Sequence, residues 1–277
     1  MSVDAERVSD AIAELAETVI RPHHKALTPE KIRRKSSAND LVTDIDEEME
    51  DALRATLSRL YPAAHFVGEE SVARDPSVLD ALEGEGAFWI VDPIDGTRSF
   101  VNGSDEFGVI VALVENGETV MGWIYGMADR ATMTAERGAG VHWRGGALEA
   151  LTAFAEREYE RPRGMRSVGW LKEPWREAIL DNLASDFDSA ASRCSAYSYV
   201  KMARGEVDFR LSSSIHPWDH AAGALIVSEL GGAVRWLDTG DPYRPQASAQ
   251  RPLLASAAAE EWREFADQLL RGAPVVS

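Results

Sequence analysis

The chain has 277 residues, 45% hydrophobic and 27% charged, values of an ordinary globular protein, and its length predicts one large or two small domains. Lys and Arg total 29 against 46 Asp and Glu, a formal net charge of −17 that argues against direct binding to nucleic acid or to an anionic membrane. If the ligand is itself an anion, positive charge must come from something outside the sequence. The single cysteine, Cys194, excludes a disulfide framework and a Cys-rich zinc site.

Val8, Ile12, Leu15, Ala16 and Val19 recur at three- and four-residue spacing, which predicts an amphipathic helix. The polar, acidic start that precedes them predicts no secretory leader and a cytoplasmic protein. The basic stretch Lys31–Ala38 reads as an exposed loop. Residues 41–60 form a second helix pattern through Ile45, Met49, Leu53, Leu57 and Leu60, closed by Pro62, with Glu47, Glu48, Glu50 and Asp51 expected on its outer face. Short strands follow at Phe66–Val67 and Phe88–Val91, then a hairpin with Asn116-Gly117 at its turn, then Thr132–Ala135 and Val141–Trp143. The charged stretch Glu149–Arg166 is the candidate boundary, giving an N-terminal half, 1–150, and a C-terminal half, 151–277. Beyond it, strands at 167–170, 207–211 and 233–237 alternate with helices at 175–183, 196–203, 218–230 and 257–270. The order suggests a layered α/β sandwich.

Acidic residues collect where apolar elements stop. Glu69 and Glu70 follow Phe66-Val67-Gly68; Asp92 and Asp95 follow Trp89-Ile90-Val91; Asp219 follows Trp218; and Asp40, Asp44 and Asp46 introduce the second helix. Clustered carboxylates repel unless something neutralises them. Oxygen donors without Cys or paired His point to Mg²⁺, Mn²⁺ or Ca²⁺ rather than zinc. Gly96 permits close approach of the backbone to a ligand, and free amides at Thr97 would suit a phosphate oxygen. His216 and His220 flank Asp219 and are candidates to line the site, whereas Cys194 reads as a buried small residue.

Gly68-Glu-Glu-Ser71, Trp89-Ile-Val-Asp-Pro-Ile-Asp-Gly-Thr97, and Trp218-Asp219 followed by a helix ending Glu229-Leu-Gly-Gly232 resemble, in order and spacing, the inositol monophosphatase family, and Asp40–Asp46 looks like its upstream motif. The resemblance covers nearly the whole chain. It implies an αβαβα sandwich like that of fructose-1,6-bisphosphatase, and a homodimeric, lithium-sensitive phosphatase using two or three Mg²⁺, with Mn²⁺ as substitute. Carried over by motif, Glu69, Asp92 and the Ile94 carbonyl would hold one metal, and Asp92, Asp95 and Asp219 a second. Thr97 with Asp46 would orient and deprotonate the attacking water, which Glu69 contacts through metal, and the Gly96 and Thr97 amides would hold the phosphate. Lys35 stands where the family often carries a lysine on a mobile loop.

The chemistry is consistent with physical limits. Enzymes accelerate phosphate monoester hydrolysis by up to about 10²¹-fold, beyond the roughly 10²–10⁴ that acid–base help supplies, whereas metal ions can activate water and neutralise phosphoryl oxygens together.

On the alcohol side the chain departs from the family. Arg98-Ser99-Phe100 replaces a small residue followed by Asn-Phe, Ser212 stands where a ring-binding glutamate is usual, and Arg193-Cys194-Ser195-Ala196 replaces a Gly-Ser/Thr-Ala segment. Arg98, Arg193 and Ser212 are therefore candidate substrate residues, and the alcohol is open: inositol phosphate, histidinol phosphate, a 3′-phosphonucleotide or fructose bisphosphate. A regulatory protein-binding role is the non-enzymatic alternative. A dehalogenase-type aspartyl phosphatase is rejected, because its motif needs two aspartates separated by one residue near the start, and Asp92 and Asp95 are separated by two residues a third of the way along.

Overall fold

The computed structural model describes residues 3–26, 32–34, 41–145, 160–173, 175–246 and 248–274. Lys35, Asp40 and most of the boundary stretch, 149–159, lie outside the described residues.

Helix α1 (Ala5–Leu15) starts at Asp4, whose carboxylate accepts from the amides of Glu6 and Arg7, and its stripe of Val8 and Ile12 is buried. A π turn, Ala16–Ile20, extends it. Helix α2 (Asp44–Leu60) buries Ile45, Met49, Leu53 and Leu57. It begins three residues later than expected, because Leu41–Thr43 forms strand β2, antiparallel to β1 (Ile32–Arg34) inside the stretch expected to be loop. Two β-branched residues, Val42 and Thr43, favour the extended chain, and Asp44 and Asp46 suit a helix's first turn.

Six strands follow: β3 (Ala64–Gly68), β4 (Ala87–Asp95), β5 (Gly108–Glu115), β6 (Glu118–Gly126), β7 (Ala131–Glu136) and β8 (Gly140–Gly145), hydrogen-bonded in that order. β3 and β4 are parallel and the remaining neighbours antiparallel. All of β4 is buried, which explains its unbroken apolar run. A second sheet joins β9 (Arg163–Ser167), β10 (Asp188–Ala191), β11 (Phe209–Ser212), β12 (Ala233–Trp236) and β13 (Leu253–Ser256) in the order β10-β9-β11-β13-β12. β9 lies earlier than expected. β10 escaped the sequence reading because Asp-Ser-Ala-Ala, mostly exposed at a sheet edge, carries no apolar pattern.

The remaining helices are α3 (Glu69–Arg74), α4 (Thr97–Val101), α5 (Trp175–Asp186), α6 (Ser195–Ala203), α7 (Pro217–Glu229) and α8 (Trp262–Leu269). Three buried clusters define the layers. α1 and α2 cover the outer face of the six-stranded sheet, α6 and α7 fill the space between the sheets, and α5 and α8 cover the outer face of the five-stranded sheet. The result is an αβαβα sandwich. Helix α7 is apolar nearly all round because it packs in the middle layer.

Candidate active site

The end of β4 sets the site. Asp92 pairs with Ile110 on β5 and Asp95 with Gly108, so three steps on β4 match two on its neighbour. Pro93, which has no N–H to give the ladder, sits inside this bulge. The irregularity lets Asp92 and Asp95 converge with Asp219, each offering an oxygen within 4.8 Å of the others. Directly after, Gly96 takes a left-handed conformation (φ 89°) as the N-cap of α4. A side chain there would also meet Cβ of Cys194 at 3.1 Å and of Phe107 at 3.2 Å. Thr97 faces two acceptors: its Oγ1 is 3.1 Å from Asp46 Oδ1 and 3.0 Å from the Ile94 carbonyl. A hydroxyl has one proton, so it can donate to only one of them at a time.

Glu69 opens α3 where parallel β3 ends, and its position is fixed by a residue the sequence reading assigned to the outer helix face. Glu50 of α2 is fully buried. Its Oε2 accepts from the Glu70 amide at 2.7 Å, and its Oε1 accepts from the Ser71 hydroxyl. Arg54 and Arg74 lie 3.4 and 3.5 Å from the same carboxylate, and Arg54 also donates to Ser71. Glu50 packs so tightly that a Cβ on Gly68 would stand 2.3 Å from its Oε2. The first turn of α3 is thus clamped from below. The signal lay in the sequence: Asp46, Glu50 and Arg54 fall at i, i+4 and i+8, on one face of α2.

Asp95 is clamped from the other side. It accepts from the Ala196 amide in the first turn of α6 and from the Cys194 thiol at 3.1 Å. Behind that turn the buried Arg210 of β11 donates to Ser195 Oγ (2.8 Å), to the Ser195 carbonyl (3.4 Å) and to Ser212 Oγ (3.0 Å). Burial, then the charge of Asp95, pushes the Cys194 thiol well up, so it stays protonated and serves as a donor rather than a nucleophile.

The electrostatics are those of a site built for a cation. Burial raises the Asp95 carboxyl above its ordinary range, partly offset by the Ala196 amide. Burial, then the charges of Asp95 and Glu69, pushes Asp219 well up, against the pull of Arg210. Two like charges about 4 Å apart repel by about 4 kcal/mol at an effective dielectric of about 20. Three such pairs rival the whole stability of a typical domain, about 5–15 kcal/mol, so protons or a cation must neutralise the group. The donors are all carboxylate oxygens with a backbone carbonyl beside them. That set fits a hard divalent ion.

A cavity of about 410 Å³ opens above, lined by Glu69, Asp92, Ile94, Asp95, Gly96, Thr97, Arg98, Arg193, His216 and Asp219 among others. The sequence profile of the inositol monophosphatase family matches residues 4–272. The chain belongs to the inositol monophosphatase family. It is therefore a phosphoric monoester hydrolase. An inositol-1-monophosphatase of Bacillus subtilis is 30% identical over 84% of each chain. A fructose-1,6-bisphosphatase/inositol-1-monophosphatase of Thermotoga maritima is 30% identical over 74% of this chain and 75% of its own. The crystal structure of inositol monophosphatase-II from Staphylococcus aureus shares the fold, with a TM-score of 0.76 at 24% identity, covering 95% of this chain and 91% of that one.

Other candidates fall in different places. Inositol monophosphatase motif residues Glu69, Asp92, Ile94, Asp95, Gly96, Thr97 and Asp219 all line the cavity, and Asp46 reaches it through Thr97. Ser212 does not line it; it is 1% exposed and engaged by Arg210. His216 lines the cavity and stacks on Trp218, ring planes 9° apart. His220 is buried beneath, 2.8 Å from the Tyr199 hydroxyl, and burial pushes its pKa well down, so it stays neutral. Glu50, Cys194 and Arg210 are the supporting residues that sequence reading did not assign to the site.

Proposed function

We propose that the protein hydrolyses a small phosphorylated metabolite with divalent metal, Mg²⁺ first and Mn²⁺ as substitute, using water as the nucleophile. The convergence of Asp92, Asp95 and Asp219 beside the Thr97–Asp46 pair carries this reading. Glu69, Asp92 and the Ile94 carbonyl would hold one ion, and Asp92, Asp95 and Asp219 another. Bound metal would supply charge neutralisation of the phosphoryl oxygens and acidify water. The chain's own groups do the rest. Thr97 Oγ1 accepts a hydrogen bond from the attacking water and hands its own proton toward Asp46, which acts as the base. The Gly96 and Thr97 amides receive the phosphate. Arg98 and Arg193 face the alcohol, while Ser212 acts from behind the wall by holding Arg210. The homodimer expectation rests on the family resemblance.

The test is phosphate release by chelated and metal-reloaded protein from inositol 1-phosphate, histidinol phosphate, fructose 1,6-bisphosphate and 3′-phosphoadenosine 5′-phosphate. Release that needs Mg²⁺ and is suppressed by Li⁺ is expected. No release from any of the four, release that survives chelation, or a trapped phosphoaspartate would sink the reading.

A further inference from the structure

Among the described residues Arg210 is the one Lys or Arg that is buried, 4% exposed on β11 in the middle of the five-stranded sheet. Buried charges are ordinarily paired with opposite ones. Arg210 has no ion pair among the described residues, and its donors go to uncharged oxygens. Nε donates to Ser212 Oγ, and the two Nη groups donate to the hydroxyl and the carbonyl of Ser195. Its Cζ lies 5.0 Å from the ring centroid of the fully buried Tyr199. These partners fix the guanidinium in place without neutralising it, and a guanidinium stays charged in proteins.

What it stands behind is the acidic cluster. Ser195 holds Arg210 on one side, while its chain neighbours Cys194 and Ala196 hold Asp95 on the other. The charge reaches across that turn. Burial raises the carboxyls of Asp95 and Asp219, and Arg210 draws both back toward ionisation. His220 adds no second cation there, because burial and then the charge of Arg210 keep it neutral.

A count of charges gives the buried cation a task. Asp46, Glu69, Asp92, Asp95 and Asp219 carry five negative charges when ionised. The two divalent ions proposed above return four of them, and Arg210 returns the fifth. Without Arg210 the acids would attract metal more strongly than two ions satisfy.

We propose that Arg210 is a resident cation of the metal site: its charge loosens the hold of Asp95 and Asp219 on Mg²⁺, so the site fills at a higher Mg²⁺ concentration than its acids alone would set. This rests on the metal-dependent reading above. A residue that only tied the α6 turn in place would act in the opposite direction, because losing the tie would weaken metal binding.

The test is Mg²⁺ calorimetry on the full chain without substrate. Ser195→Ala with Ser212→Ala removes the hydroxyls that receive Arg210, and adding Arg210→Met then removes the charge with those bonds already gone. The triple variant is expected to bind Mg²⁺ roughly tenfold more tightly than the double variant. Tb³⁺ should tighten by a larger factor than Mg²⁺, because the repulsion scales with the charge of the ion. Equal or weaker Mg²⁺ binding in the triple variant, or the same factor for both ions, overturns the proposal and leaves Arg210 a packing residue. Where the triple variant does not fold, Arg210→Gln and Arg210→Lys decide. Mg²⁺ bound roughly fivefold more tightly by Arg210→Gln than by Arg210→Lys supports the resident cation, and no difference or the reverse order overturns it. If the natural protein binds no Mg²⁺ at all, the metal-dependent reading fails and this proposal falls with it.

Discussion

The two walls of the cavity are built differently. On the acidic wall three groups lean on buried partners: Glu69 stands on a turn clamped by Glu50, Asp95 takes an amide and a thiol, and Thr97 meets Asp46. On the alcohol wall Arg193 is exposed and Arg98 and His216 are partly so. Groups that must hold a fixed constellation come from the ends of buried strands and the starts of helices, where packing sets them. On the wall proposed to face the alcohol, Arg193 projects from a turn and Arg98 from the short helix α4, both solvent-facing enough that a substitution costs little stability. The wall that must be placed to a fraction of an ångström is expensive to alter; the more exposed wall is not.

That contrast can be broken at several points. Asp219→Asn is expected to lower kcat/KM by roughly 10³-fold or more and to abolish tight metal binding, read by kinetics and by calorimetry with Mg²⁺. Thr97→Ala should cost about 10²–10³-fold in kcat with metal affinity retained, and Thr97→Ser should recover most of it. Glu50→Gln tests the clamp: apparent Mg²⁺ affinity should weaken about 10–100-fold although Glu50 touches no ion, and Mg²⁺ titration at saturating substrate would show it. An unchanged Mg²⁺ requirement with merely lower thermal stability would make Glu50 a packing residue only. On the other wall, Arg98→Ala should raise KM by at most about tenfold with kcat within about threefold.

The smallest effect is in pH. Asp95 and Asp219 have carboxyl pKa values raised above the ordinary 3.8, so the folded metal-free chain holds protons that the unfolded chain has released. The stability this contributes is full below that ordinary value and is lost as pH rises through the raised ones. Chelated protein should therefore lose a few degrees of Tm at these sites as pH rises above the ordinary carboxylate range, and the Mg²⁺-dependent gain in Tm should be larger at the higher pH. A gain independent of pH would remove the carboxylates from the binding event.

Most of the metal wall was legible because its residues cluster in short segments at the ends of apolar runs, where the physical reason for an acid is local. Its supports were not, since each reaches the site from a remote element. Glu50 looked like one acid among four on a solvated helix, and only its four-residue spacing from Asp46 marks the inward face. Arg210 and Ser212 share one face of β11 by strand alternation, but which face meets α6 depends on how the layers stack. Layer order emerged from the alternation of elements, whereas β10 and the late start of α8 did not, because short exposed or alanine-rich stretches carry no periodic signal.

The bulge at the end of β4 has a consequence for how such a protein can change. Side chains along a strand alternate in parity, and residues 92 and 95 are of opposite parity, so a regular strand would turn one of them away. One extra residue corrects the count only after Asp92. Deleting it would leave every upstream residue from Ala87 to Val91 in its present pairing and both carboxylates on one face, but would take out the irregular step that presents the Ile94 carbonyl to the Thr97 hydroxyl. The ability to fold and the ability to catalyse are thus written in adjacent but separable stretches of one strand, and a descendant could lose the second in a single step while keeping the first.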